Sequence, residues 1–381
     1  MEDEITMNWL VGPYTRKNHA HLDEMTVLHQ WIGHLPGLIV DVGACQGSSL
    51  ISFLKSGWRG IAFEPDPKNR ELLVNNVSHA APGAQVRFDG RAVSNQRLDA
   101  VPFYVSDQSQ GIGSLSAFHE SHKPGLVVET IPLSEALTEQ ELSATALLKI
   151  DAEGHDFFVL RGFPWGKARP EIVICEFEDS KTIPLGYQAE DMARYLVELG
   201  YEILVSEWHP IIAYGQRHDW KGLRRYIPGG LKALGWGNII AVCGQFDIAQ
   251  LIRLVDCSLN CPVRQLESIR QAFCSMRPIF IWGAGAAGRH VANTLLHENI
   301  TPMGYIDSDT AKQGKWVMNL RVGSLDSLKQ LAMGDVRPFV VISSMCWKEI
   351  ERDLNEIGWV QELDYLVFVN LIPHDNFACS G

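Results

Sequence analysis

The sequence predicts an α/β protein built from two successive doubly wound parallel sheets, the second smaller than the first. From residue 37, short apolar runs alternate with helical stretches, as in GLIVDVG, SSLISFLKSG, GIAFEPD and PKNRELLVNNV. This alternation is typical of parallel strands joined by helical crossovers. A fresh series of the same kind begins near residue 276 with RPIFIWGAGAAGRHVANTLL. The length of 381 residues also fits two domains.

Composition and charge exclude several classes of protein. Apolar residues make up 46% of the chain and charged residues 20%, as in a globular protein. The net charge of −12 argues against a nucleic-acid or anionic-membrane partner. No apolar run approaches the ~20 residues of a membrane span, and the start MEDEITMNWL lacks the positive charge of a signal peptide. With eight irregularly spaced cysteines, we expect reduced thiols and a cytoplasmic location; an oligomer is left open.

The elements divide the chain into four predicted segments. Apolar residues at spacings of three and four predict a helix over 21–35, so residues 1–35 form an N-terminal helical segment. Residues 36–245 form the first α/β domain, residues 246–275 a helical linker, and residues 276–381 the second α/β domain. Further strands of the first domain are predicted in QVRFDGRAVS, VPFYVS, ALLKIDAEG, EIVICEFE, YEILVSE and NIIAVCG; those of the second are predicted in MGYIDSD, 320–322, PFVVISS and LDYLVFV.

The first strand–helix junction predicts a ligand site. LIVDVGACQGSS places Asp41 at a strand end, then Gly43 and Gly47, and Ser48 at the start of a helix. Glycine permits close approach of a ligand, and the helix N-terminus offers free amide groups. Because an acid precedes the glycines and Cys45 replaces the middle glycine of a dinucleotide fingerprint, a pyrophosphate is disfavoured. The pattern favours a positively charged ligand such as S-adenosylmethionine, whose amino group would meet Asp41.

The second strand supplies another carboxylate. It ends at Glu64 within GIAFEPD. A carboxylate at this strand end can accept hydrogen bonds from both hydroxyls of a ribose. Together with the preceding junction, it predicts an adenosyl ligand. The alternative is an ordinary α/β turn in which the acidic side chains are satisfied by the protein.

Three segments resemble the FkbM-type methyltransferases: IVDVGACQGSSLISF, GIGSLS and LLKIDAEGHDFFVLRGF. The resemblance covers about residues 35 to 245. It implies a Rossmann-like class I methyltransferase domain that uses S-adenosylmethionine. It also suggests that Ser114 passes close to the cofactor, and Asp89 is a further candidate for a contact to adenine or ribose. Cys45 stands where many members of the family have asparagine.

The third of these segments holds the candidate catalytic residues Asp151, Glu153 and His155. Methyl transfer needs donor and acceptor held at attack distance and a base for the acceptor proton. His155 is a candidate base by its ordinary pKa, and Asp151 or Glu153 could serve if burial raises theirs. Alternatively, Glu153 and Asp156 cap the next helix and Asp151 only orients the cofactor. A metal is not expected, although the two glutamates of CEFE could supply distant ligands.

The acceptor is expected to be a small molecule or a glycan. Aromatic residues lie beside cations in the stretch 208–237, which suits a sugar, phosphate or carboxylate group. A helical flap packed on its own domain explains the same pattern equally well. The leading hypothesis is O-methylation of a hydroxyl on a sugar, glycan or secondary metabolite.

The C-terminal series carries a full dinucleotide fingerprint. Gly283, Gly285 and Gly288 follow an apolar run, and Asp307 stands about 20 residues further on. About residues 277 to 370 resemble the nucleotide-binding domains fused to sugar-modifying acetyltransferases and nucleotide-sugar dehydratases. The resemblance implies a nucleotide, a nucleotide sugar or NAD, or a domain that keeps only the fold. A nicotinamide-dependent sugar oxidoreductase and a non-catalytic nucleotide-sensing scaffold are the alternative functions.

Overall fold

The structure is a computed structural model that describes residues 8–107, 111–212, 218–231, 234–334, 336–344, 346–361 and 363–368. It divides into two compact units. The first runs to Leu259 without residues 17–20, and the second comprises those four residues and the chain from Asn260. The segment 246–275, predicted as a linker, is helical but divides between the units. In the described part of the chain, no helix is both long and apolar enough to cross a bilayer.

The first unit is built on a nine-stranded sheet and a smaller three-stranded sheet. The large sheet has the order β1-β11-β10-β12-β9-β8-β2-β3-β4, in which the neighbours from β9 to β4 are parallel and the others antiparallel. The small sheet has the order β5-β7-β6. The strands are β1 Trp9–Val11, β2 Leu38–Val42, β3 Arg59–Phe63, β4 Val86–Asp89, β5 Ala92–Val93, β6 Leu98–Ser106, β7 His122–Ile131, β8 Thr145–Ile150, β9 Ile172–Glu178, β10 Glu202–Trp208, β11 Trp220–Arg225 and β12 Trp236–Val242.

Helices accompany the large sheet. The central strands β2, β8 and β9 are buried almost throughout, because parallel strands packed on both faces are apolar along their whole length. A short 3₁₀ turn covers Ile183–Leu185 and another Arg16–Asn18. The α-helices are α1 Glu24–Ile32, α2 Ser48–Lys55, α3 Pro67–Ala80, α4 Leu133–Ala136, α5 Glu139–Ala144, α6 Asp156–Gly162, α7 Asp179–Thr182, α8 Ala189–Glu198 and α9 Ile248–Ser258.

Capping side chains explain where two of these helices begin. The Asp23 carboxylate accepts from the amide of Thr26, so α1 starts at Glu24, later than the apolar pattern alone predicts. Asp66 accepts from the amide of Lys68, and Pro67 takes the first position of α3, where a missing N–H costs nothing.

Two strands depart from the sequence prediction. VPFYVS, expected in the main sheet, belongs to β6, which pairs with β7 in the separate small sheet. In the stretch 208–237, the helical-flap interpretation is wrong for the described residues, because β11 pairs with β10 as a strand. The expected packing of aromatic side chains on their own domain does hold for Trp220, which is fully buried. Residues 213–217 and 232–233 of that stretch lie outside the described residues.

The second unit is a smaller parallel sheet with helices. Its order is β15-β16-β14-β13-β17-β18, and only the β15–β16 pair is antiparallel. The parallel strands therefore follow the order 3-2-1-4-5 of a Rossmann-like sheet, which confirms the predicted fold class. The elements are α10 Pro262–Cys274, β13 Ile279–Trp282, α11 Ala286–His297, β14 Gly304–Ile306, β15 Trp316–Val317, β16 Leu320–Gly323, α12 Leu325–Ala332, β17 Phe339–Ile342, α13 Trp347–Glu356 and β18 Tyr365–Val367.

Candidate active site

A cavity lies at the carboxyl ends of β2, β3 and β8, the edge at which open α/β sheets bind ligands. Its free volume is about 620 Å³, part of which is open to solvent. Five of the ten residues predicted for the donor site and the reaction centre line it: Gly43, Glu64, Asp151, Glu153 and His155. Apolar and other neighbours complete the wall, among them Cys45, Phe63, Arg91, Val93, Phe103 and Leu115.

The loop after β2 fits tightly against the loop after β8. Gly43 has φ +74°, and a Cβ there would lie 1.9 Å from the carbonyl oxygen of Asp151. Only glycine fits this close approach without a shift of the backbone. Gly47 also has positive φ and precedes α2, whose first residue is Ser48. Gly47 and Ser48, unlike Gly43, do not line the cavity.

Asp41 is not a cavity residue, although the sequence predicts that it meets the donor's amino group. Its side chain is fully buried, where it accepts from Ser49 Oγ at 2.6 Å and lies 3.1 Å from Lys149 Nζ. The same ammonium donates to the Gly43 carbonyl at 2.7 Å. Burial opposes the charge, yet Asp41 and Asp151 together raise the pKa of Lys149 above its ordinary value. Lys149 thus neutralises Asp41 and joins the two loops.

Glu64 joins the β2 and β3 loops. Its two carboxylate oxygens accept from the amides of Cys45 and Asp66, each at 2.8 Å. Burial raises the pKa of Glu64 to about 7, against the lowering effect of these two hydrogen bonds. Each oxygen keeps a second lone pair, so the carboxylate can still accept hydroxyl groups from the cavity.

The loop after β8 is fixed by its own polar groups. Glu153 and Gly154 both have positive φ, at 50° and 93°. The Asp156 carboxylate accepts from the amides of Ala152 and Gly154, and the Tyr187 hydroxyl donates to the Gly154 carbonyl at 2.6 Å. Asp156 therefore braces the loop, while Glu153 is free of any capping role in α6.

Glu153 belongs to a buried charge cluster centred on Lys181, a residue that the sequence analysis missed. The ammonium of Lys181 is 2.6 Å from Glu153, 2.8 Å from Glu178 and 3.4 Å from Glu176, and its side chain is 3% exposed. It also lies 4.8 Å from the centre of the Phe118 ring. Burial raises the pKa of Glu153 to about 7, while Lys181 acts in the opposite direction.

Carboxylate oxygens of Asp151, Glu153 and Glu176 lie within 4.8 Å of one another. Three converging carboxylates require positive charge nearby, because their mutual repulsion in a buried site is large. Lys181 supplies that charge to Glu153 and Glu176. The cluster is therefore organised around a side chain of the protein.

His155 lines the cavity beside Phe158, with 5.3 Å between the ring centres. Burial lowers its pKa to about 4, so the imidazole is neutral at physiological pH. Its Nδ1 atom is buried and has no hydrogen-bond partner among the described residues. The ring is therefore available to a ligand as a neutral hydrogen-bonding group.

The two remaining predicted contacts lie behind the cavity wall. Asp89 is held by Arg91 at 2.6 Å and by Arg87 at 3.4 Å, and Arg91 rather than Asp89 lines the cavity. Ser114 is buried, and its hydroxyl donates to the main-chain carbonyl of Glu153 at 2.8 Å. Ser114 thus supports the loop that carries the candidate catalytic residues.

The glycine loop of the second unit has the geometry that its fingerprint predicts. Gly283 has φ +114°, and a Cβ on Gly288 would lie 1.7 Å from the Gly283 carbonyl oxygen. Gly285 precedes α11, and a Cβ there would meet nothing within 4 Å. Asp307 accepts from the amide of Ala284 at 2.8 Å and pairs with Lys312 at 3.1 Å.

Asp307 and Glu64 hold equivalent places in the two units. Each follows the second parallel strand of its sheet and accepts from the amide of a residue in the preceding glycine loop, Ala284 or Cys45. Each also accepts from the amide two positions further on, Asp309 or Asp66. The acid at this position therefore fastens the glycine loop in both units.

The second unit offers a stability test. We expect Gly288→Ala to lower the free energy of unfolding of the second unit by about 1–3 kcal/mol, because the new methyl group overlaps a backbone oxygen. Gly285→Ala is the matched control, with an expected change within about 0.5 kcal/mol. Thermal unfolding of the full chain, followed by circular dichroism, compares the two. Equal melting profiles would contradict the proposed crowding.

Comparison with known proteins identifies a segment of the first unit. Residues 41–203 match a family described as the methyltransferase FkbM domain. This segment is an FkbM-type methyltransferase domain. Residues 275–362 match a second family, described as C2185-like, N-terminal. The predicted resemblance to the FkbM-type methyltransferases is thus confirmed for residues 41–203. A search of curated proteins finds no match to the chain.

Solved structures similar to the chain include several methyltransferases. Methyltransferase FkbM from Methylobacillus flagellatus KT is 16% identical with a TM-score of 0.33, over 55% of this chain and 44% of that one. Magnesium protoporphyrin IX methyltransferase from Synechocystis PCC 6803, with bound SAM, is 13% identical with a TM-score of 0.31, over 57% of this chain and 75% of that one. This chain thus spans less than half of the first protein.

Proposed function

We propose that the FkbM domain transfers the methyl group of S-adenosylmethionine to a hydroxyl of a sugar, glycan or other small molecule. The observation that carries the proposal is the cavity in which Glu64, Asp151 and Glu153 converge at one sheet edge. When bound, the cofactor supplies an electrophilic methyl group on a positively charged sulfur. The carboxylate-rich lining fits that charge, and apolar side chains such as Phe63 and Val93 fit an adenine ring.

Three side chains of the cavity have distinct roles in this proposal. Glu64 would hold the ribose hydroxyls with its two partly occupied oxygens. Asp151, whose side chain is 41% exposed, would face the amino group that the sequence analysis gave to Asp41. Cys45 is not a competing nucleophile, because burial and the neighbouring Glu64 raise the pKa of its thiol to about 11.

Donor binding tests the proposal directly. We expect calorimetry to show binding of S-adenosylhomocysteine by the intact chain and a loss of about 10-fold to 100-fold in affinity for Glu64→Ala, as for a buried charged hydrogen-bonding group. Glu71→Ala, on the exposed face of α3, is the matched control and keeps the affinity of the wild type. Circular dichroism verifies that both variants fold. No binding by the folded wild-type protein would end the proposal.

The acceptor requires a second experiment. Incubation with isotope-labelled S-adenosylmethionine and a cell extract, followed by mass spectrometry, is expected to label a hydroxyl-bearing product. Donor binding without any labelled product would favour the non-catalytic alternative.

The nucleotide or NAD site of the second unit stays a prediction. Asp307 is occupied by Ala284, Asp309 and Lys312, so a ribose would have to share its carboxylate with these groups. Titration with NADH, followed by cofactor fluorescence, tests it. Gly285→Val should abolish any binding, because its side chain would fill the space that a ligand needs beside the glycine loop. It should not crowd the protein itself, because a Cβ at this position meets nothing within 4 Å.

A further inference from the structure

We propose that Glu153 is the general base that takes the proton of the acceptor hydroxyl, and that Lys181 is the positioning residue that keeps Glu153 ionised and oriented. This inference rests on the proposed methyl transfer. It assigns one role among the three candidate catalytic residues and adds a residue that no motif indicates.

The main chain of Glu153 is held from several sides. Its carbonyl accepts from Ser114, and the amide of the following Gly154 donates to Asp156. The residue itself has φ +50°, a conformation that non-glycine residues adopt rarely and that the surrounding contacts must maintain. A side chain projected into a cavity from so constrained a position has little freedom, which is what proton transfer at a fixed distance requires.

Lys181 restrains the carboxylate from the other side. Its ammonium contacts Glu153 at 2.6 Å and is almost fully buried, so the contact is little weakened by solvent. The same ammonium is shared with Glu176 and Glu178. The Lys181 ammonium therefore lowers the free-energy cost of ionising Glu153, but it does not fully neutralise the negative charge of that carboxylate. Among the described residues, the charged groups that act on Glu153 are Asp151 of its own loop, Asp156 at the start of α6, Glu176 of β9 and Lys181 of α7, and Glu178 shares the Lys181 ammonium.

The rival bases fit the task less well. Burial lowers the pKa of His155 to about 4, and so weak a base draws little proton from a hydroxyl group. Asp151 lies 3.6 Å from the ammonium of Lys149 and is the group we assign to the donor's amino end. Glu153 combines access to the cavity with a pKa raised to about 7 by burial.

The proposed step balances in atoms and charge. The acceptor oxygen forms a bond to the methyl carbon, the carbon–sulfur bond breaks, and its electron pair stays on sulfur, which becomes a neutral thioether. The hydroxyl proton passes to the Glu153 carboxylate and then to solvent.

An experiment without acceptor tests the electrostatic part. In protein labelled with ¹³C at glutamate carboxyl groups, the signal lost in Glu153→Gln is expected to titrate near pH 7 in the wild type. In Lys181→Met its midpoint should rise by more than one pH unit, and in Lys181→Arg it should return close to the value of the wild type. Lys167→Met, an exposed lysine, is the matched control. A midpoint near 4.5, or one unmoved in Lys181→Met, would overturn the assignment.

Kinetics with the acceptor found by isotope labelling test the chemical part. At saturating donor, kcat of the wild type should rise with pH to a plateau above about 7. Glu153→Gln should lower kcat by about 10²-fold to 10⁴-fold and remove the rise, with S-adenosylhomocysteine still bound. Lys181→Met should move the rise to higher pH, and Lys181→Arg should restore it. The donor is kept saturating because Glu64 has a similar pKa and would otherwise add to the pH dependence of the rate through its effect on donor affinity.

The possible results separate the two proposals. Absence of S-adenosylhomocysteine binding by the wild type contradicts methyl transfer itself. Only the assignment of the base is contradicted if Glu153→Gln binds S-adenosylhomocysteine and transfers the methyl group as the wild type does, while His155→Asn loses the pH dependence. The exposed Glu171→Gln serves as the matched glutamate control in both experiments.

Discussion

Replacement of Lys149 by methionine is expected to lower the free energy of unfolding of the first unit by about 3–5 kcal/mol, because Asp41 then carries a buried negative charge with no countercharge from Lys149. The two loops that Lys149 joins also lose a hydrogen bond at the Gly43 carbonyl. Urea unfolding of the full chain, followed by circular dichroism, measures the change. Affinity for S-adenosylhomocysteine should fall in parallel, since both loops border the cavity.

A double variant distinguishes an unpaired charge from lost packing. Asp41→Asn removes the charge but keeps an oxygen that accepts from Ser49. Combined with Lys149→Met, it should recover most of the lost stability, because neither side chain then carries a charge. Additive losses in the double variant would show that the pair contributes through packing alone.

Gly43→Ala is expected to disable the proposed donor site more completely than any other alanine substitution in the glycine motif. Its methyl group would lie 1.9 Å from the Asp151 carbonyl, so the two loops must separate. We expect a loss of about 2–4 kcal/mol in unfolding free energy, from crowding and from the left-handed backbone together. Calorimetry should detect no binding of S-adenosylhomocysteine at concentrations that saturate the wild type.

Gly57→Ala separates the two contributions. Gly57 has φ +86°, similar to Gly43, but a Cβ there would meet nothing within 4 Å. It should lose only the conformational part, about 1 kcal/mol, and bind the donor normally. Equal effects in both variants would mean that backbone conformation, and not the contact with Asp151, makes glycine necessary at position 43.

Local patterns were sufficient to predict the central sheet of each unit. Buried parallel strands such as LIVDV and TALLKI are mostly apolar, and their helices carry apolar stripes, so each pattern reflects the burial of the element itself. The small sheet was harder to predict, because β6 and β7 are partly exposed and their pairing depends on a distant partner strand.

The site residues divide in a similar way. Glu64 and Asp151 follow apolar strands and could be found from that position alone. Lys149 and Lys181 could not be assigned roles, because their partners lie on other elements; Lys149 and Gly43 are 106 positions apart. A signal was nonetheless present: a lysine inside the apolar run ALLKI requires a buried negative partner.

The fastening of the glycine loop by Glu64 bears on the thermodynamics of association. The amide of Cys45 is already bound to Glu64, and the Gly43 and Ala44 amides donate to the Phe63 carbonyl. The conformational entropy of this turn is therefore lost when the chain folds, before a nucleoside arrives. Association at this preorganised edge should proceed with little backbone rearrangement and a correspondingly small unfavourable entropy.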